Sequence, residues 1–181
     1  MGYAIAQAAL AAGHDVTLIS GPVNLDPPPG AQFVSILTSD EMYGAVHRHA
    51  RECDVLVMCA AVADYKPRKV SAMKIKKRNE HFALDLIPTR DILASLPHED
   101  RQFLLVGFAA ETSDIEENAK QKLRVKNCDI IVANDVSSSD SGMESDENEV
   151  TVLFRNGEAK KIPRAPKKII AHMLVKIFSN R

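Results

Sequence analysis

The period of the hydrophobic positions changes repeatedly along the chain, and each change marks an element. "GYAIAQAALAAG" (2–13) sets Ile5, Ala8, Ala9 and Ala12 at helical spacing and stops at Gly13, a good helix C-cap. "DVTLIS" (15–20) is β-branched and apolar and breaks at Gly21-Pro22, so it reads as a strand. "FVSIL" (33–37) predicts another. In the "TSDE" that follows it, Thr38 and Glu41 have the spacing of a capping box for a helix running to about Glu52. "DVLVMCAA" (54–61) is nearly unbroken apolar, as expected of a parallel strand buried on both faces.

The pattern then shortens. "AMKIKK" and "HFALDLI" alternate with period two around "RNE", which predicts an antiparallel hairpin. "TRDILASL" predicts a short helix capped by Thr89, and "FLLVGFAA" (103–110) another buried strand. A helix over 114–126 with Ile115, Ala119 and Leu123 on one face leads to the strand "DIIVA" (129–133). "SSSDSGMESDENE" reads as a polar mobile loop. "VTVLFRNGEAKKIP" reads as a hairpin around Asn156-Gly157, the favoured type I′ pair. A closing helix over 166–178 is expected to bury Ile170, Met173, Leu174 and Ile177.

Helices alternating with buried strands imply an α/β fold with a doubly wound, mostly parallel sheet and an added antiparallel hairpin. Ligands of such sheets sit beyond the carboxyl ends of the strands, here after Ser20, Ala61, Ala110 and Asn134. No internal repeat or linker divides the 181 residues, so a single domain is expected.

Charge narrows the choice of ligand. With 23 Lys+Arg against 24 Asp+Glu, the net charge of -1 gives no general pull toward nucleic acid or membrane. Any basic site must be a local concentration, and residues 66–78 are the clearest one. No apolar run reaches membrane-span length, and the N-terminus lacks the basic region of a secretory signal. Cys53, Cys59 and Cys128 lack metal-ligand spacing and suit reduced thiols in a cytoplasmic protein.

The segment "AAVADYKPRKVSAMKIKKR" (60–78) leaves the apolar core at Ala60 and Ala61, places a carboxylate at Asp64 and ends in Lys74, Lys76, Lys77 and Arg78. That density of charge suits a polyphosphate. Each residue also has a plainer reading. Asp64 could be satisfied by loop amides, and the lysines could guard an edge strand. Lys122 and Lys126, one helical turn apart, could be solvated. Phe108 could be core, Glu111 and Thr112 could cap the next helix, and His47 and His49 fall on different helix faces. No nucleophile elbow, metal-ligand cluster or GxxxxGK[ST] loop is present. What remains suits chemistry of positioning and charge stabilisation on a nucleotide triphosphate.

"MGYAIAQAALAAGHDVTLISGPV", "AAVADYKP", "KIKK", "DILASL", "VGFAAET", the A-x-x-K-x-x-x-K-x-x-D pattern at 119–129 and "ANDV" occur in the order found in phosphopantothenoylcysteine synthetases (phosphopantothenate–cysteine ligases). The chain resembles that family over almost its whole length. The family is usually the C-terminal half of a bifunctional bacterial protein of coenzyme A biosynthesis. The resemblance implies a Rossmann-like fold, CTP as activating nucleotide, Mg²⁺, no FMN, a homodimer, a cytoplasmic location and a separate or fused decarboxylase partner. It further implies that the carboxylate of 4′-phosphopantothenate attacks the α-phosphate of CTP, releasing pyrophosphate, and that the amine of L-cysteine then displaces CMP.

By the same resemblance Ala60 and Ala61 offer backbone groups to the nucleotide, and Asp64 contacts it directly or through Mg²⁺. Lys74 lies against the phosphates as the catalytic lysine, on a hairpin similar to the one that reaches toward the dimer partner. Arg90, Asp91, Ile92 and Leu93 match a nucleotide-contacting turn in which Arg90 replaces a usual proline. Phe108 flanks the base, with Lys122 and Lys126 completing the pocket. The family also has a first strand and a glycine- and serine-rich turn ahead of this helix, with an asparagine linked to conversion of the acyl-cytidylate. The sequence opens at Met1-Gly2, so a sheet lacking a strand beside "DVTLIS" is expected, with weak or absent ligase activity of the chain alone. A dinucleotide-binding dehydrogenase would also suit the opening helix and strand, but Ser20 stands where its acidic ribose ligand belongs. A non-catalytic nucleotide-binding module is the other alternative.

Overall fold

The computed structural model describes residues 1–77, 81–97, 99–111, 115–135 and 146–180. The elements run α1 (Gly2–Ala11), β1 (Thr17–Ser20), β2 (Gln32–Ser35), α2 (Ser39–His49), β3 (Val55–Met58), β4 (Tyr65–Pro67), β5 (Leu86–Pro88), β6 (Leu104–Glu111), α3 (Ile115–Val125), β7 (Ile130–Asp135), β8 (Glu147–Phe154), β9 (Ala159–Pro166) and α4 (Lys167–Ser179). A five-stranded sheet of order β3-β6-β7-β8-β9 forms the centre. Its β3, β6 and β7 are parallel, and β8 and β9 add on antiparallel.

Alternation along the central strands feeds two cores. Val106, Ile130, Val132, Val150 and Val152 face α1 and α4, whose Ile5, Ala8, Ile170 and Leu174 cover them. Leu105, Ala109, Ile131 and Leu153 face α2 and α3, which supply Met42, Val46, Ala119 and Leu123. The near-continuous apolar runs are therefore explained as strands covered by helices on both faces. On α4 the buried stripe is Ile170, Ala171, Leu174, Val175 and Phe178; Met173 is exposed and Ile177 only half-buried, because the stripe lies one position around from the expected one.

Local chemistry sets several ends. Gly13 is left-handed at φ +86° and donates to the Leu10 carbonyl, while His14 donates to that of Ala9, which closes α1 with a Schellman motif. Thr38 Oγ1 accepts from Glu41 N–H at 3.1 Å to cap α2. The Glu41 carboxylate reaches one residue further back than a standard capping box, to Leu37 N–H, and the helix ends at His49. The β8–β9 turn is not type I′. Among the described non-glycine residues only Asp100 and Asn127 have positive φ, so Asn156 is ordinary and, of the two turn residues, Gly157 alone is left-handed at +88°. Gly157 N–H donates to the Phe154 carbonyl, giving a type I turn followed by a glycine bulge.

Two expectations about strands change. The hairpin is paired only at its base, where Tyr65–Pro67 runs antiparallel to Leu86–Pro88. Residues 71–77 are not strand, and Met73, Ile75, Phe82 and Leu84 are all exposed. A two-stranded ribbon with nothing to pack against is marginal in water, which accounts for the loss. "DVLVMCAA" is strand only over Val55–Met58 and each of these residues is half-buried rather than buried.

The second change has its cause beside β3. β1 pairs in parallel with β2, and this ribbon shares no hydrogen bond with the five-stranded sheet. The first turn of α1 touches the ends of both: Tyr3 Oη donates to Ser20 Oγ at 3.0 Å after β1, and a Cβ on Gly2 would meet Cys59 Cβ at 3.7 Å after β3. Strand pairing thus stops between β1 and β3. Most of the segment expected to be a polar loop lies outside the described residues, and the "ENE" at its end belongs to β8. Among the described residues no helix is long and apolar enough to cross a membrane. All three cysteines are free thiols; burial, the largest influence, pushes Cys128 up to about 11 and raises Cys53 and Cys59.

Candidate functional site

At the carboxyl ends of β3 and β6, one turn is held from three sides. The chain leaves β3 through exposed Ala60 and Ala61, and Thr89 fixes this loop by donating from Oγ1 to the Ala63 carbonyl (2.6 Å) and from N–H to that of Asp64 (2.8 Å). Thr89 therefore serves the loop rather than capping a helix, and residues 92–95 form turns instead. Asp91 takes the capping role, accepting from Ala94 N–H at 3.0 Å. Its other oxygen accepts from Lys126 Nζ. On the opposite side Arg90 lies 4.7 Å over the Tyr43 ring and 3.9 Å from Asp40 Oδ1, and Asp40 Oδ2 accepts from Lys66 Nζ. His47 stacks on Tyr43 at 4.3 Å and meets Ser95 Oγ at 2.9 Å.

Beneath the turn, Ile92, Leu93 and Leu96 pack into the α2/α3 core. Gly107 makes room for them: a Cβ there would lie 2.8 Å from Ile131 Cδ1, 3.1 Å from Cys128 Sγ and 3.7 Å from Leu93 Cδ1. Gly107→Ala is expected to destabilise the fold by about 1–3 kcal/mol through overpacking. Thermal denaturation checks this, and an unchanged Tm would mean that the site has slack.

The carboxylates differ in a way that bears on ligands. The hydrogen bond from Lys66 holds Asp40 below the ordinary value of 3.8; desolvation opposes it, and the charges of Lys66 and Arg90 reinforce it. For Asp91 partial burial pushes upward, but the Lys126 and Ala94 hydrogen bonds and the Lys126 charge outweigh it, and the net direction is down. A depressed folded value means that the Asp91 contribution is present above pH 3.8 and fades as pH falls through the lower folded value. Asp64 is exposed and has no cationic partner among the described residues. A single carboxylate of this kind holds Mg²⁺ only together with ligand oxygens and water. Among the described residues no group of three or more acidic, His or Cys side chains could hold a metal alone.

The sequence-derived residues do not all converge. Ala60, Ala61, Asp64, Arg90, Asp91, Ile92, Leu93 and Lys126 surround the turn. Lys122, one helical turn before Lys126, is exposed on α3. The Phe108 ring packs against the α1/α4 core, across the sheet from Leu93, so only its backbone faces the turn's side of the strand end. Lys74, Lys76 and Lys77 are exposed on the arm between β4 and β5 and make no hydrogen bond or ion pair among the described residues. Arg78 and Thr112 lie outside the described residues.

Asp40, Tyr43 and Lys66 were missed as site residues. The Asp40 signal was hidden in the capping segment, where an acidic residue is already explained by the helix N-terminus. Asn134, opposite Ala110 in register, was named only as a strand end; its Oδ1 is buried with no hydrogen-bond partner among the described residues. Two hollows on the molecular surface lie elsewhere, one at the start of β6 and β7 and one between α1 and α4.

Comparisons with known proteins agree across the chain. Residues 1–180 match the family described as DNA/pantothenate metabolism flavoprotein C-terminal domain. The coenzyme A biosynthesis bifunctional protein CoaBC of Bacillus subtilis is 44% identical over 164 residues, covering 90% of this chain and 40% of that protein. CoaBC of Escherichia coli is 39% identical over 179 residues, covering 97% and 44%. The chain thus spans less than half the length of these relatives. The crystal structure of the C-terminal domain of CoaBC superposes with a TM-score of 0.80 at 38% identity, covering 97% of this chain and 78% of that one. A Cab2 variant in complex with phosphopantothenate-cysteine, at 16% identity and a TM-score of 0.58, shares the fold alone.

Proposed function

Because the chain belongs to the DNA/pantothenate metabolism flavoprotein C-terminal domain family, we propose that it joins 4′-phosphopantothenate to L-cysteine at the expense of CTP, in coenzyme A biosynthesis in the cytoplasm. The observation that carries the reading is the turn 90–93. It is clamped between α2 and α3, carries Lys126 on Asp91, and abuts the loop that presents Asp64.

In this reading the exposed backbone at Ala60 and Ala61 lines the nucleotide, and the turn with Lys122 and Lys126 orients base and ribose. Phe108 contributes through its backbone, since its ring lies on the far face. Asp64 would hold Mg²⁺, which would neutralise phosphate charge when bound. The substrate carboxylate attacks the α-phosphate and pyrophosphate leaves; the cysteine amine then attacks the acyl carbon and CMP leaves. The chain's task is positioning and charge compensation.

The arm between β4 and β5 has a second task. Val70, Met73, Ile75 and Phe82 are each at least 60% exposed, an apolar surface unusual in a chain acting alone. It suits a homodimer in which the arm crosses to the partner and brings Lys74 to a triphosphate. A fused or separate decarboxylase partner fits the bifunctional relatives.

Thermal shifts test the nucleotide. Mg²⁺–CTP is expected to raise the Tm more than ATP, GTP or NADH, by an amount equivalent to ~2.7 kcal/mol at a hundredfold excess over Kd. Equal shifts from every nucleotide would remove cytidine selectivity, and a shift from NADH alone would point to the dehydrogenase reading.

A further inference from the structure

We propose that Lys66 is a further phosphate-binding residue of this site, and that Asp40 holds it ready, together with Arg90, by standing where phosphate oxygens bind. The proposal rests on the triphosphate reading above and adds residues to it.

Three observations carry it. Lys66 lies on β4 two residues after Asp64, whose carbonyl accepts from Thr89 N–H, so both residues are held at the base of the same ribbon. The segment that presents the proposed metal ligand therefore also presents an ammonium. Next, Lys66 and Arg90 arrive from different segments and converge on the two oxygens of one carboxylate, Lys66 on Oδ2 and Arg90 at 3.9 Å from Oδ1. Cations gathered around two oxygens on one centre form an arrangement that a phosphate can also occupy. Finally, the carboxylate itself is placed to favour an anion, in the first turn of α2 where unpaired N–H groups and the helix dipole give a positive end.

The exchange is open to ligand. The side chains of Lys66 and Asp40 are 32% and 46% exposed, so the pair is reachable from water and weakly held. A triphosphate with more charge and more acceptor oxygens competes well for the same cations. The same logic distinguishes this pair from Arg101–Asp129 at the far edge of the sheet, where the arginine side chain is only 6% exposed. In the plainer alternative, Lys66 only fastens the base of the arm to α2.

Calorimetric titration of the full chain with Mg²⁺–CTP, and separately with inorganic tripolyphosphate, separates the two. Lys66→Gln is expected to weaken both by about tenfold, the effect of one charge-assisted hydrogen bond. Asp40→Asn is expected to tighten both, and most of that gain should vanish when Lys66→Gln is added. Lys66→Arg retains the charge and should bind within about twofold of the unaltered chain, which guards against a folding defect in the glutamine variant. Unchanged affinity in Lys66→Gln overturns the proposal, as does an Asp40→Asn gain that persists in full without Lys66. Weakening by Asp40→Asn to the same degree as Lys66→Gln assigns the pair to fastening the arm and also overturns it. If the unaltered chain binds CTP while Lys66→Gln binds equally well, the triphosphate reading stands and only this inference falls. If the unaltered chain binds neither probe, both fall.

Discussion

Asp129→Ala is expected to lose about 3 kcal/mol of folding stability, the low end of the range for removing one partner of a buried ion pair. Asp129 opens the turn into β7, and its Oδ2 accepts from Arg101 Nη2 at 2.5 Å and from Leu105 N–H at 2.8 Å. Arg155 adds a third contact, Nη1 at 3.6 Å from Oδ1. Truncation leaves the guanidinium of Arg101 inside the protein without its countercharge, because the Phe103 and Asn127 carbonyls it also meets supply only dipoles. It also unpairs the first amide between β6 and β7. Asp129→Asn keeps an acceptor for Leu105 and should fall between the two. Urea denaturation measures the difference; a loss below about 1 kcal/mol would mean that water reaches Arg101 in the folded state. CTP affinity should change little, since this cluster lies at the opposite end of the strands from the 90–93 turn.

Lys74→Gln is expected to do the reverse. Its side chain is exposed and makes no polar contact among the described residues, so folding stability should hold within about 0.5 kcal/mol. Ligation should fall by about tenfold or more if the lysine compensates phosphate charge, since glutamine keeps reach and a donor but removes the charge. Pyrophosphate release with both substrates reads the first step. A mixture of Lys74→Gln chains with chains altered at Asp64 tests the arm's crossing, because only an arm acting in the partner's site lets one dimer recover an intact site. Normal release by Lys74→Gln would leave the lysine with only a solubilising role on the exposed arm.

The fold was legible where burial decides it. The runs 103–110 and 129–133 read correctly because strands covered by helices on both faces must be apolar throughout. Gly13 and Thr38 read correctly because a left-handed cap and a hydroxyl N-cap are decided within a few residues. The failures share a different cause. The alternation around residues 71–84 is genuine, but alternation makes a strand only when one face has something to cover it, and sequence cannot show what the arm packs against. Thr89 was misread because a threonine before an acidic turn looks like a cap whether its hydroxyl turns forward to a helix or back to a loop carbonyl. At the site, Asp64 and Lys126 stood out as charges near strand ends, motif resemblance gave them their roles and added the 90–93 turn, and periodicity alone would have left all of them as polar surface. Phe108 came with them, yet strand parity points its ring across the sheet. Asp40 and Lys66 became visible only when segments 26 residues apart were brought together.

The separation of the β1–β2 ribbon from the five-stranded sheet makes the molecule mechanically unequal. Cooperative opening follows hydrogen-bonded and packed units, and here the pairing stops between β1 and β3. The first 35 or so residues, joined to the remainder by side-chain packing such as that of Ile5 and Ala8 and by no strand pairing, can lift away while the ladders of β6, β7 and β8 stay intact. Ser20 and the loop after it belong to the portion that lifts, while Asp64 and Asp91 belong to the portion that stays. Transient local unfolding would therefore dismantle one wall of the ligand edge long before the chain as a whole denatures, so that function would be lost at a lower temperature than structure.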